Sequence, residues 1–405
     1  MGKKFLLFGL PQIVGNFGCE AIVHGTGAIL KHTFPDCEAV YISDGHAKID
    51  RDRLGPSTIV NVDDSAPRFG PRFLARRIMK RVFKKRIFRR PLPARLLRKA
   101  DCVLSIGGDL YTFADKETTR LWPYPYPIVK DGNAIMDKGV PYVIWCASVG
   151  PLENAGENLG ILVEHLKRCK AIIVREQTSY DYLTSKLAIK ENVYLAADPS
   201  YFMDPEPFEE SFFTESSDPI IAINMAVGSM IQVYGAGNDN IHRLRDLYLE
   251  GISNLLSKLG LRVALVPHQI DDYDFFIDFY SRLCNRYGDR IWLAPKALGA
   301  KKTKWAVSKC AGLVSMRFHC ALAGFGTCTP TVLVLTKPKG FKLIEDIYGN
   351  MDYGLKLTEF SPEALRNKVE LLLNNRENIQ STLRASIEKM KSRALYAGQI
   401  LKEIL

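Results

Sequence analysis

The chain has 405 residues, of which 47% are hydrophobic and 10% aromatic, so it can bury a large core and lacks the composition of a disordered protein. Length alone favours two or three domains over one. The formal net charge of +11 comes from one segment: residues 72–99 carry thirteen Lys or Arg and no acid, whereas the rest of the chain carries 42 basic and 44 acidic residues.

The early apolar run Phe5–Leu10 is too short to span a membrane, because a spanning helix needs roughly 20 apolar residues. Lys3 and Lys4 precede this run as in a signal peptide, but no small-residue cleavage site follows it. We therefore expect a cytoplasmic protein. The nine cysteines have no Cys-x-x-Cys spacing and no pattern that suits zinc, so we predict no metal site.

Short apolar and β-branched runs alternate with helical patterns along the chain. In chain order, the predicted strands are Phe5–Leu10, Ala39–Ile42, Ile59–Val62, Cys102–Ile106, Tyr142–Ala147, Ala171–Val174, Ile220–Ile223, Val263–Val266, Gly312–Ser315 and Thr331–Leu335. This alternation is typical of parallel sheets covered by helices on both faces. Because the pattern occurs twice, we predict an α/β protein of two doubly wound, Rossmann-like domains that face a cleft, where such folds bind ligands.

The acidic, proline-punctuated stretch Asp204–Pro219 lies between the two halves and has the composition of a linker. We therefore predict an N-terminal domain over 1–205 and a C-terminal domain over 206–380. Apolar residues at helical spacing follow from about Ser361, and we predict a C-terminal helix over 381–405.

The first candidate motif follows the first predicted strand. Gly15, Asn16 and Gly18 lie in a turn that enters a helix, and Glu20 follows them. Backbone N–H groups at a helix N-terminus bind anions. The pattern is neither a Walker loop nor Gly-x-Gly-x-x-Gly, so ATP and NAD are poorly supported. The alternative is that these glycines only make a tight turn.

The second motif, Gly107-Gly108-Asp109, follows the predicted strand Cys102–Ile106. Asp109 could accept a proton from a sugar hydroxyl, or it could cap a helix. Ser148 and Arg175 follow the next two strands and form a third group of candidates. Arg175 is a candidate ligand-binding residue, with a structural ion pair as the alternative.

The fourth motif, Arg317-Phe318-His319, follows the predicted strand Gly312–Ser315. Alternation across these residues at the strand end turns Arg317 and His319 the same way and places Phe318 in the core. Arginine binds carboxylate or phosphate with two hydrogen bonds, and histidine can give a proton at neutral pH. Because an unpaired buried arginine is costly, we favour an anion site over a histidine packed in the core.

Two further candidates lie near predicted strand ends. Lys339 could bind a phosphate, although solvated lysines are the alternative. His268, after the run Val263–Val266, is a second-choice proton carrier.

These motifs, in this order, resemble the polysaccharide pyruvyl transferase family. They are Gly15–Ala21, Ile106–Asp109, Ala147–Pro151, Val174–Ser179, Asp198–Pro199, Arg317–His319 and Pro330–Lys339. The resemblance implies a GT-B-like fold, phosphoenolpyruvate as donor and, as acceptor, a sugar of a cell-surface glycan, for which a lipid-linked form is one option. It also implies that Arg317 and His319 contact the donor, so we expect the donor side in the C-terminal domain and the acceptor side in the N-terminal domain.

The resemblance suggests a mechanism. His319 protonates the methylene carbon of phosphoenolpyruvate while Arg317 holds its carboxylate or phosphate, and Glu20 or Asp109 serves as general base for the sugar hydroxyl. Cationic residues neutralise the charge, so we expect neither a metal nor a cofactor.

Other functions stay open at this point. A GT-B-type glycosyltransferase that uses a nucleotide sugar would share the fold. The basic segment 72–99 has apolar residues at helical spacing between its cations, which suits a helix lying on an anionic membrane at its inner face. A surface helix or a lid is the alternative for this segment. We expect no nucleic-acid partner, because stacking aromatics are absent from its polar face.

Overall fold

A computed structural model of the chain describes residues 2–9, 15–43, 47–54, 59–61, 92, 94–112, 126–235, 239–336 and 338–405. The chain forms two compact units, each of which is built around one sheet. The first unit comprises Met1–Val14, Ile22–Phe202 and Ser392–Leu405, and the second comprises Gly15–Ala21 and Met203–Lys391.

The first unit contains a parallel sheet of seven strands. They are β1 (Lys4–Phe8), β2 (Glu38–Ser43), β3 (Ile59–Asn61), β4 (Cys102–Ile106), β5 (Tyr142–Ala147), β6 (Ala171–Val174) and β7 (Val193–Leu195), in the sheet order β3-β2-β1-β4-β5-β6-β7. Every residue of β4, β5 and β6 is buried, which explains why these strands appear as continuous apolar runs. The described helices that begin before residue 203 are α1 (Phe17–Thr33), α2 (Ala47–Leu54), α3 (Ala94–Leu97), α4 (Tyr126–Met136), α5 (Leu159–Arg168) and α6 (Gln177–Asp181).

The second unit contains a parallel sheet of six strands. They are β8 (Ile220–Asn224), β9 (Arg262–Leu265), β10 (Ile291–Leu293), β11 (Gly312–Ser315), β12 (Thr331–Leu335) and β13 (Gly354–Lys356), in the order β10-β9-β8-β11-β12-β13. The helices described after residue 203 are α7 (Val227–Tyr234), α8 (Asp239–Lys258), α9 (Tyr273–Tyr287), α10 (Ala300–Ser308), α11 (Phe318–Gly326), α12 (Pro338–Tyr348), α13 (Pro362–Asn374) and α14 (Arg376–Ile404).

Both sheets are wound in the same way. The first strand of each unit pairs with the second strand on one side and the fourth on the other, so the winding reverses between β1 and β4 and between β8 and β11. Ligands of doubly wound sheets bind beyond the carboxyl ends of the strands at this switch point. The predicted α/β class with two Rossmann-like domains is confirmed.

The predicted linker Asp204–Pro219 is packed into the second unit. The ring of Phe212 lies 6.0 Å from that of Trp292, and the ring of Phe213 lies 5.7 Å from that of Trp305. The guanidinium carbon of Arg262 lies 4.2 Å from the centroid of the Phe212 ring. Burial of each aromatic side chain contributes roughly 1.5–3 kcal/mol, so these residues hold the stretch against the sheet.

The division of the chain differs from the predicted domains in three places. The sequence predicts the boundary between residues 205 and 206, and the structure has it between Phe202 and Met203. Gly15–Ala21, predicted in the N-terminal domain, belongs to the second unit. The last helix begins at Arg376 rather than at 381, and Ser392–Leu405 belongs to the first unit. No helix in the described part of the chain is long and apolar enough to cross a membrane.

Candidate active site

Asn224, the last residue of β8, organises the switch point of the second unit. Its buried amide nitrogen donates to the carbonyl oxygen of Val266 over 2.8 Å. Its Oδ1 accepts from the backbone N–H of Arg317 over 2.9 Å and from the hydroxyl of Ser315 over 3.1 Å. This side chain therefore fixes the residues that follow β9 and β11 to the end of β8.

Arg317 forms an ion pair with Asp272 through two hydrogen bonds. Nε donates to Oδ2 over 2.9 Å, and Nη2 donates to Oδ1 over 2.6 Å. The Asp272 side chain is fully buried, whereas that of Arg317 is 19% exposed. Burial raises the pKa of the Asp272 carboxyl, and the hydrogen bonds and charge of Arg317 oppose this rise. The sequence pattern does not identify Asp272 as a site residue.

Arg317, Phe318 and His319 do not continue a strand, so the predicted alternation is wrong. β11 ends at Ser315, Arg317 is the N-cap residue of α11, and the helix begins at Phe318. Phe318 and His319 are both half-buried, so Phe318 does not lie in the core. The N–H of Arg317 bonds to the side chain of Asn224 rather than to a neighbouring strand.

His319 lies against the glycine-rich turn of the first motif. A β-carbon on Gly18 would come within 2.7 Å of the His319 Nδ1 atom, so this approach requires glycine. Asn16 caps α1, because its Oδ1 accepts from the N–H of Cys19 over 3.2 Å. Gly15 has a φ of +78°, which favours glycine. The turn thus places a helix N-terminus beside His319.

His268 is held next to the same turn. Its carbonyl oxygen accepts from the N–H of Phe17 over 3.2 Å, and its ring lies edge-on to that of Phe17 at 5.7 Å. Burial, followed by the charges of His319 and Arg317, lowers the pKa of His268 to about 3. The imidazole is therefore neutral near pH 7, which argues against its predicted role as a proton carrier. Neither ring nitrogen has a hydrogen-bond partner among the described residues.

Glu20 lies in the first turn of α1, and Lys339 lies on α12. Glu20 is 3% exposed, and its Oε1 accepts from the N–H of Ala300 over 2.9 Å. This contact places a carboxylate at the N-terminus of α10, where negative charge is favoured. Lys339 lies in the first turn of α12, with Nζ 5.3 Å from the ring centroid of Phe318. Its charge is therefore close to the start of α11.

The first unit has a polar cluster of its own around Arg175, which follows β6. The guanidinium donates through Nη1 to Asp198 over 2.7 Å and through Nη2 to Asp109 over 3.0 Å. Nε and Nη2 also lie 3.1 and 3.0 Å from the hydroxyl oxygen of Ser148. Burial would lower the pKa of Arg175, but the charges of Asp198 and Asp109 outweigh it and raise the pKa. Arg175 thus forms a buried ion-pair network, the alternative that the sequence left open.

Asp109 lies at the carboxyl end of β4, where the sequence predicts it. Its side chain is 45% exposed, although Arg175 holds one of its oxygens. Gly108 gives the guanidinium room, since a β-carbon there would lie 3.2 Å from Arg175 Nη2, and Gly107 lies directly before it. Asp109 is therefore paired with Arg175 and also partly exposed.

Two other expectations concern ions and the basic segment. Within the described ranges, no group of three or more His, Cys, Asp or Glu side chains is placed to hold a metal ion. The segment 72–99 is described only at 92 and 94–99, so the expected membrane-binding helix lies outside the described residues.

A comparison with protein families decides the assignment. A model of the family described as polysaccharide pyruvyl transferase matches residues 16–338. The chain belongs to this family. The protein is therefore a transferase, and the match includes the polar clusters of both units. No curated protein matches this pyruvyl transferase family member in sequence.

Solved structures show the same fold at low sequence identity. A putative UDP-N-acetylglucosamine 2-epimerase from Listeria monocytogenes has a TM-score of 0.60 and 12% identity, over 98% of this chain and 94% of its own. A glycosyltransferase from Rickettsia africae has a TM-score of 0.55 and 12% identity, over 100% and 98% of the two chains. Anabaena HepE, solved with UDP-glucose, has a TM-score of 0.52 and 10% identity, over 100% and 99%. These similarities support a GT-B-like fold for the pyruvyl transferase chain.

Proposed function

We propose that this transferase moves the pyruvyl group of phosphoenolpyruvate onto two hydroxyls of a sugar in a cell-surface or exopolysaccharide precursor, forming a ketal. The proposal rests on the family match and on one observation, the presence of Arg317 and His319 together at the N-terminus of α11. The cation and the helix N-terminus suit the carboxylate and phosphate of the donor. The imidazole suits its double bond, which must gain a proton before C2 becomes electrophilic.

In the first step, the imidazolium of His319 gives its proton to the methylene carbon, and a cation develops at C2. Arg317 stabilises the donor's negative groups, and one sugar hydroxyl attacks C2 to form the first C–O bond. The hydroxyl proton passes to a general base, a role that typically contributes about 10²–10⁴-fold. This base is Glu20 or Asp109, which are 3% and 45% exposed.

In the second step, the bond from C2 to the phosphate oxygen breaks and inorganic phosphate leaves. A second sugar hydroxyl then attacks C2 and closes the ketal. Of the two hydroxyl protons released, one replaces the proton that His319 gave, and the other leaves with phosphate. The positive charge of Lys339, near the start of α11, favours departure of the phosphate.

The test is an incubation with phosphoenolpyruvate and a panel of defined glycans, with phosphate release measured and the ketal identified by NMR. We expect His319→Ala to lower the rate by about 10²-fold or more, because the proton donor is lost. His242→Ala, an exposed position on α8, is the matched control and should keep the wild-type rate. An undiminished rate in His319→Ala would refute the assigned role.

A GT-B-type glycosyltransferase that uses a nucleotide sugar is the second candidate. The fold similarity to HepE, which was solved with UDP-glucose, favours testing it. Calorimetric titration with UDP and with phosphoenolpyruvate separates the two functions. Binding of UDP without binding of phosphoenolpyruvate would favour the glycosyltransferase.

A further inference from the structure

The ion pair between Arg317 and Asp272 occupies only one edge of the guanidinium. An arginine side chain carries five N–H donors in a planar fork. Nε and Nη2 each give one hydrogen bond to Asp272, and Nη1 has no hydrogen-bond partner among the residues that the structure describes. The edge formed by Nη1 and the second N–H of Nη2 therefore makes none of the hydrogen bonds to Asp272, and 19% of the side chain is exposed.

We propose that Asp272 is a positioning residue that holds Arg317 from the side and presents its Nη1–Nη2 edge to an oxyanion of the donor. This inference rests on the proposed function. It adds a residue to the site and assigns the end of the guanidinium, rather than its side, to the carboxylate or phosphate. Two parallel N–H donors match the spacing of two oxygens on such a group.

Asp272 is suited to this task because it is itself fixed. Its Oδ1 also accepts from the N–H of Val227 over 3.0 Å, at the start of α7. Asp272 directly precedes Tyr273, the first residue of α9, and its side chain is fully buried. The carboxylate is therefore held at the starts of two helices.

Arg317 is fixed at both of its ends. Its backbone N–H bonds to Asn224, and the tip of its side chain bonds to Asp272. A group held in this way keeps its direction while the reaction proceeds, and small misplacements of such groups lower rates strongly. Asp272 contributes to catalysis by orientation, since its own negative charge opposes binding of an anionic donor.

Asp272 orients Arg317 but repels the anionic donor, so one substitution can distinguish the two effects. Asp272→Asn keeps the shape of the side chain but removes one negative charge beside the donor site. We expect kcat to fall by about 10- to 100-fold because Arg317 loses its fixed direction. We expect the KM for phosphoenolpyruvate to stay unchanged or to fall, because the attraction of the anion increases. A general loss of structure would not combine a lower kcat with a lower KM.

The experiment is a double-mutant cycle of Asp272→Asn and Arg317→Lys. We measure kcat, KM and the thermal midpoint of all four proteins, and we correct the rates for the folded fraction. If Asp272 acts through Arg317, Asp272→Asn has little further effect on kcat in the Arg317→Lys background. The matched control is Asp278→Asn on α9, which removes the carboxylate of a surface ion pair with Arg282 and should leave the kinetics unchanged.

Wild-type kcat in Asp272→Asn, or effects of the two substitutions that simply add, would overturn the positioning role. The same cycle is measured for binding of inorganic phosphate by calorimetry, so the pair is tested even if no pyruvyl transfer occurs. Non-additive effects on phosphate affinity support the inference, and additive effects contradict it. A wild-type protein without transfer activity contradicts the proposed function alone.

Discussion

Two buried cations show that the partner of a charged side chain decides whether the charge persists. Arg175 contacts two carboxylates, and its pKa is raised despite burial. The ammonium group of Lys304 donates to the carbonyl oxygen of Met203 over 2.5 Å, and burial, followed by the charge of Lys391, lowers its pKa to about 8. The charge of Asp204 raises the pKa of Lys304 but does not outweigh burial, whereas the charges of Asp198 and Asp109 outweigh it at Arg175. Arg175 therefore stays charged, while Lys304 gives up its proton at mildly alkaline pH.

Stability toward acid should depend on His165. Burial, followed by the charge of Arg168, lowers its pKa to about 4, and its Nδ1 bonds to Asn133 over 2.9 Å. The folded state therefore binds this proton more weakly than the unfolded state, so stability falls as the pH drops from 6.5 toward 4. Between pH 7.5 and 5 the wild type should lose on the order of 2 kcal/mol through this side chain.

Urea denaturation of the wild type and of His165→Gln at these two pH values measures the effect. The variant should be less stable than the wild type at pH 7.5, and its stability should depend less on pH. A pH dependence equal to that of the wild type would show that His165 does not carry the loss.

The sequence identifies Arg317 and His319 because arginine binds anions, histidine transfers protons, and both residues follow an apolar run. It does not identify Asp272 as the partner of Arg317, since the pair is separated by 45 positions and only the fold brings it together. The exposure of Asp109 and the burial of Glu20 likewise depend on packing. The types of residue in the site are therefore predictable, but their pairing is not.

Two of the three glycines in α1, Gly18 and Gly27, have different surroundings. Gly18→Ala would place a β-carbon 2.7 Å from His319 Nδ1, whereas a β-carbon on Gly27 meets nothing within 4 Å. We expect Gly18→Ala to displace His319 and lower pyruvyl transfer by about 10-fold or more. Gly27→Ala should keep the activity and raise the stability by up to about 1 kcal/mol, because alanine favours the helix.

Phosphate release and thermal unfolding of both variants test this prediction. Equal activity of Gly18→Ala and Gly27→Ala would show that the contact with His319 does not matter.

The strands that the sequence predicts to the residue are β4, β5, β6, β11 and β12, all of which are wholly buried. The strands it misses are β7, β10 and β13, each three residues long and each at an edge of its sheet. A short edge strand needs few apolar residues, so it leaves a weak pattern. The interior strands are therefore predictable from hydrophobicity, whereas of the four edge strands only β3 is predicted, from the run Ile59–Val62.

The uneven charge of the whole molecule leads to a prediction about membranes that rests on the sequence of 72–99. We expect the protein to sediment with anionic vesicles at low salt and to be released at high salt, because each Lys or Arg near the surface contributes about 1 kcal/mol. Replacement of the seven Lys and Arg between 80 and 90 by Gln should abolish sedimentation. Neutral vesicles are the control, and equal binding to both kinds of vesicle would contradict the prediction.

For the whole molecule, the sequence predicts two domains because the strand and helix pattern occurs twice. It does not predict that Gly15–Ala21 belongs with the second unit, since this follows from backbone contacts such as Phe17 N–H to the carbonyl oxygen of His268. Membership of a short segment depends on a few hydrogen bonds, which hydrophobic periodicity does not report.

The interleaved division of the chain has a consequence for biosynthesis. Residue 391 completes the second unit, whereas the first unit also requires residues 392–405. During synthesis, all residues of the second unit are therefore made before residues 392–405 of the first unit. We expect the second unit to complete its contacts first, whereas domains generally fold from the N-terminus onward. Cutting one peptide bond cannot separate the two units into two whole fragments, because each unit is made of more than one segment.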